Sequence, residues 1–287
     1  MLAVFVALLA GLFPVSLRAD FSYQDSTRAM GGALYTPLPR VSTKWIKGNR
    51  MAEVTKEHVT VIDLDKETVT EMDLAKKTYS AVPFAQIKQM MPNTEAVFKA
   101  SGSPAEQTKM VGVLKSKETI WRLTAEDHSM VIVIDAWLAP VPGYNEVRTF
   151  GRKLGAKMRY AFGSAMWPFG MGREDALVGF AEAAKEMNHA DGAPLQTTVK
   201  IVAGDAAAAP EAIVPAPFPP ETTKNAAGAA LSRLGMGPKK RTDQPPSAGS
   251  LIEILTELTN LSLAPMDAAK FEVPQGFKEV PRRADKN

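Results

Sequence analysis

Between Trp45 and Val82 the chain reads WIKGNRMAEVTKEHVTVIDLDKETVTEMDLAKKTYSAV, and no other stretch limits the fold so tightly. Runs rich in Val, Ile, Thr, Tyr and Met lie at Lys44 to Ile46, Arg50 to Thr55, His58 to Leu64, Thr68 to Met72 and Thr78 to Val82. Between them stand Gly48-Asn49, Lys56-Glu57, Asp65-Lys66-Glu67 and Ala75-Lys76-Lys77, each of hairpin size. The pattern predicts an antiparallel meander. Its alternation is partial, with Ile62 and Leu64 on one face and Val59 and Val61 on the other, so one face is expected to be core and the other partly covered.

Ahead of the meander, residues 1–19 form an apolar run that Pro14 interrupts and Arg18 ends. It is shorter than the ~20 residues of a membrane span and fits a signal peptide, with cleavage after Ala19 and a mature chain in the periplasm. The sequence has no Cys, which removes disulfides and a lipid anchor at the cleavage site and leaves stability to the core. A formal net charge of +3 gives no footing for nucleic acid as a partner. Residues 20–287 are expected to form one domain, with flexible segments at about 203–221, rich in Ala and Pro, and at about 235–250, a basic loop.

Further strands are predicted from Phe21 up to the Gly31-Gly32 break, over Thr108 to Thr124, Ser129 to Leu138, Pro194 to Val202 and Leu251 to Leu263, and at Lys270 to Val273 and Phe277 to Val280. PFAQIKQMM, from Pro83, reads as a short helix with Phe84, Ile87 and Met91 on one face. A longer helix is predicted from Tyr144 to Phe162, where Val147, Phe150, Leu154, Met158 and Phe162 fall at helical spacing, and another after Gly172. The total is roughly nine to eleven antiparallel strands in one sheet with about three helices, the last strands completing the sheet that the meander begins.

Several short motifs carry a resemblance: WIKGNRM (Trp45, Gly48, Arg50, Met51), VIDLDKETV (Asp63, Asp65), KKTYSAV (Lys77, Thr78, Tyr79), DAWLAPVPGYNEV (Trp137, Pro142, Gly143, Tyr144) and FEVPQGFKEV (Phe271, Pro274, Gly276). In these the chain resembles a family of uncharacterised bacterial envelope proteins whose fold is like the lipoprotein carrier LolA and the mycobacterial lipoprotein LppX. The resemblance implies a mainly β, α+β fold: a curved, incompletely closed antiparallel sheet with helices packed on its concave face. It also implies a class of ligand, namely a lipid, an acyl chain or a lipoprotein. It supplies no catalytic residues.

Inventory argues against catalysis. There is no Cys, His58, His128 and His189 are far apart, and no H-E-x-x-H, GxSxG or phosphate-binding glycine loop is present. No cofactor is implied. Asp135, alone in the apolar run MVIVIDAWLA, is a candidate acid without a partner base near it in sequence. The candidate ligand-binding residues are Trp45, Met90, Met91, Trp137, Trp167 and Phe169, large or adaptable apolar side chains expected where sheet and helices meet. Trp167 and Phe169 stand in YAFGSAMWPFGM, which reads either as the cap of a cavity or a membrane contact, or as a buried interhelical loop. The functional expectation is a non-catalytic periplasmic protein that binds a hydrophobic ligand. Its alternative is an envelope scaffold with a filled core, whose surface meets another envelope protein or the membrane.

Overall fold

A computed structural model describes residues 20–31, 40–90, 98–128, 130–158, 187, 189–203 and 250–281. The predicted signal peptide, the segments near 204–221 and 235–249, most of the helix after Gly172, and the site residues Met91, Trp167 and Phe169 lie outside these residues.

The meander is present with almost the predicted boundaries. After β1 (Phe21–Gly31) come β2 (Arg40–Lys47), β3 (Arg50–Val54), β4 (His58–Asp63), β5 (Thr68–Asp73) and β6 (Thr78–Pro83), then a short helix α1 (Phe84–Met90). Two of its turns share one construction. Asp63 and Asp73 each accept, through Oδ1, a 2.9 Å hydrogen bond from the backbone N–H three residues on, at Lys66 and Lys76. Glu67 and Lys77 then close the turns at φ +50° and +51°.

The second half of the chain supplies β7 (Phe98–Val111), β8 (Leu114–Ala125), β9 (Met130–Ala139), helix α2 (Tyr144–Met158), β10 (Ala193–Ala203), β11 (Ser250–Ser262) and β12 (Lys278–Glu279). The single strand expected over Thr108 to Thr124 is in fact the two arms of a hairpin, turning at Gly112 with φ +58°. Val113 occupies the tip, 90% exposed, and its apolar character hid the turn in the sequence. Lys270 to Val273, expected as a strand, instead begins in a 3-10 turn over Ala268–Phe271 and leaves it at Glu272; Asp267 caps the turn by accepting from the Ala269 N–H at 2.9 Å.

All twelve described strands form one sheet in the order β12-β6-β5-β4-β3-β2-β1-β11-β10-β9-β8-β7. The sheet is open, and β12 and β7 are its edges. Neighbours pair antiparallel except β12, which runs parallel to β6. β11 joins the two meanders by pairing β1 on one side and β10 on the other, so the late strands do complete the early sheet. At the β7 edge, the register shift between Pro104 and Thr108 and the proline itself break up the exposed ladder.

Both described α-helices pack on one face of this sheet. Phe150, Leu154 and Met158 of α2 and Phe84 of α1 are buried on Phe21, Tyr23, Ile46, Met51, Ile62, Leu64 and Val69. The helical spacing read from the sequence is therefore the spacing that reaches the core. The same face continues over Trp121, Leu123, Ile132, Ile134 and Ala136 of β8 and β9. On the opposite face, Phe271 packs on Ala52, Val61 and Met72.

Candidate functional site

Alternation along β8 decides what the helix face presents near the β7 edge. Lys115, Lys117, Thr119 and Trp121 are spaced by two and share that face. Together with Gly102 and Ala105 of β7 and Leu138 at the end of β9, they line an open cleft of about 820 Å³. The loop His189 to Gly192 forms its other wall.

The floor is Trp121, 4% exposed and packed in the cluster that holds Leu123, Ile134 and Leu138. Its cross-strand partner is Gly102. A β-carbon on Gly102 would lie 2.7 Å from the indole Cδ1 and 2.9 Å from Nε1, so the absence of a side chain there allows the ring to lie against β7. The loop wall is fixed from two sides. Gly192 has φ +107° and approaches the backbone of Ala139 so closely that a β-carbon would meet the carbonyl oxygen at 2.8 Å. From α2, the Arg148 guanidinium donates to the carbonyl oxygen of Ala190 and stands 3.9 Å from the Asp191 carboxylate.

The charges divide unevenly. Lys115 and Lys117 are exposed at the rim, and neither has an ion-pair partner among the described residues; His189 is exposed beside them. Of the acidic groups, Glu118 is engaged with Asp135, and Asp191 is exposed on the loop wall, 3.9 Å from the Arg148 guanidinium. The cleft thus offers an apolar floor, a cationic rim and enough volume for a small-molecule ligand.

Two buried polar groups lie apart from it. On the helix face Asp25 accepts from Ser42 Oγ and pairs with Lys44 at 2.8 Å, both side chains nearly out of solvent. Burial pulls the Lys44 ammonium down, but Asp25 and Glu53 outweigh it and hold the amine above its ordinary value. The ion pair therefore favours the charged form of Lys44. Beside it, burial and then the charges of Asp25 and Glu53 push the Tyr23 hydroxyl upward. On the other face, Asp135 has found the partner that local sequence lacked. Glu118 from β8 hydrogen-bonds it, and burial followed by the Glu118 charge pushes its carboxyl up to about 7 against the pull of Lys109. Asp135 Oδ1 and the nearby Trp137 Nε1 are buried without a hydrogen-bond partner among the described residues.

The residues expected to line a cavity are scattered. The register puts Trp45 opposite Ser22 and Trp137 opposite Gln196, so both lie on the face away from α1 and α2, a correction to the expectation that they stand where sheet and helices meet. Each is covered by an ammonium group, Lys270 at 4.2 Å from the Trp45 ring and Lys109 at 4.0 Å from Trp137. Met90 ends α1. Trp121 and Gly102 were missed, although the alternation Lys115, Lys117, Thr119, Trp121 was available to find them. What the sequence lacked was the hairpin turn that sets Gly102 opposite the indole.

No family model and no curated protein matches the chain. Among solved structures it is similar to that of PNGF-II, with a TM-score of 0.32 and 8% identity over 92% of this chain and 31% of that one. The chain thus spans about a third of that protein's length, and a likeness so distant carries no argument. None of these comparisons lends support to the LolA-like resemblance.

Proposed function

We propose that the protein is a non-catalytic binding protein for a hydrophobic ligand, acting in the periplasm, and that the cleft over Trp121 holds the ligand. The observation that carries this reading is the cleft itself. Its volume of about 820 Å³ falls within the range of small-molecule sites, and its floor is a tryptophan that a glycine leaves room for. A hydrophobic ligand is also what the resemblance to LolA-like carriers implies. The test is mass spectrometry of organic extracts from protein purified out of the envelope fraction. A stoichiometric co-purifying lipid or acyl compound is the expected result, and its consistent absence from protein that also fails to take up added lipid would favour the scaffold.

A further inference from the structure

We infer that the occupant of the cleft is an acyl compound ending in an acidic head group, its tail over Trp121 and its head between Lys115 and Lys117. This rests on the reading of the cleft as a hydrophobic ligand site and adds the polarity and orientation of the ligand.

The argument begins with one row of side chains. Trp121, Thr119, Lys117 and Lys115 follow one another at two-residue intervals on the same face of β8. Three such intervals cover about 20 Å, so the row is a gradient from a buried aromatic group through a hydroxyl to two ammonium groups. A ligand lying along it is apolar at one end and polar at the other.

Charge sets the sign of the polar end. Lys115 and Lys117 are two positive charges two residues apart on one face of β8, their backbones about 7 Å apart. An anion between them can be contacted by both. Glu118, engaged with Asp135, does not compete for this place, and Asp191 stands exposed on the opposite wall, 3.9 Å from Arg148. Ammonium groups act as point charges and accept a carboxylate or a phosphate alike, so the shared chemistry is an anionic oxygen cluster on an alkyl chain.

Isothermal titration of the purified protein with palmitate, hexadecyl phosphate and hexadecanol, below their critical aggregation concentrations, tests this. Both anions are expected to bind one to one and about ten-fold or more tighter than hexadecanol, the size that two exposed charge contacts supply. The double variant Lys115→Gln, Lys117→Gln is expected to erase the difference between the anions and hexadecanol. Both positions are exposed, so the variant retains the fold, which circular dichroism checks. A preference for palmitate or for hexadecyl phosphate identifies the head group as carboxylate or phosphate. Equal affinity for hexadecanol and the anions in the parent protein overturns the head-group assignment and leaves the cleft as a hydrophobic site. Binding of none of the three overturns the assignment and the reading beneath it together.

Discussion

Trp121 faces Gly102 across the β7–β8 ladder with no space between them for a β-carbon, which would come within 2.7 Å of the indole. In a strand, replacing Gly by Ala ordinarily stabilises by roughly 0.5 to 1 kcal/mol, because glycine loses the most backbone freedom on folding. Here the sign reverses. Gly102→Ala forces the indole out into the cleft, with a strain cost of about 1 to 3 kcal/mol. Urea unfolding is expected to show net destabilisation, and palmitate affinity is expected to fall in the same variant.

The Asp135 carboxyl gives the protein a pH-dependent stability of known sign. Its value in the fold is about 7 against an ordinary 3.8, so the folded state keeps a proton that the unfolded chain has released. The stabilisation from this group is fully present below about pH 4 and is lost as the pH rises through about 7. Urea midpoints measured from pH 4 to pH 8 are expected to decline more steeply in the parent protein than in Asp135→Asn, where the amide has no proton to lose.

Lys44 and Asp25 form a buried ion pair, and breaking one side strands the other. Lys44→Met is expected to cost about 3 to 5 kcal/mol, since Asp25 is left charged and enclosed. The double change Lys44→Met, Asp25→Leu is expected to cost less than the single one. Thermal and urea unfolding of the three proteins check the order.

The strand-rich meander, α1 and α2 were legible because turn residues and periodicity are local signals. Asp63 and Asp73 cap turns within three residues of themselves, and Phe150, Leu154 and Met158 mark a helix face without reference to anything distant. The cleft is built by pairings that local sequence does not encode. Gly102 meets Trp121 across a hairpin whose tip, Gly112-Val113, looks like a strand interior, and Asp135 meets Glu118 from another strand. Trp45 and Trp137 face away from α1 and α2 because of the register of β2 on β1 and of β9 on β10, which their own neighbours in sequence do not encode.

Arg148 anchors the cleft wall from behind by donating to Ala190. Arg148→Met is expected to raise amide hydrogen exchange at Ala190 to Gly192 while β9 amides keep their protection, and to weaken palmitate binding severalfold. Unchanged exchange at the loop would mean that Gly192 alone fixes it.

The central claim is that the cleft over Trp121 takes up a hydrophobic chain, and quenching of tryptophan emission by 9,10-dibromostearate tests it most directly, because bromine quenches an indole that it touches. In the parent protein the quenching is expected to saturate at one ligand per chain. In Trp121→Phe the saturable component is expected to disappear while isothermal titration still registers binding. Saturable quenching of undiminished amplitude in Trp121→Phe, or no saturable quenching in the parent protein, would contradict the account.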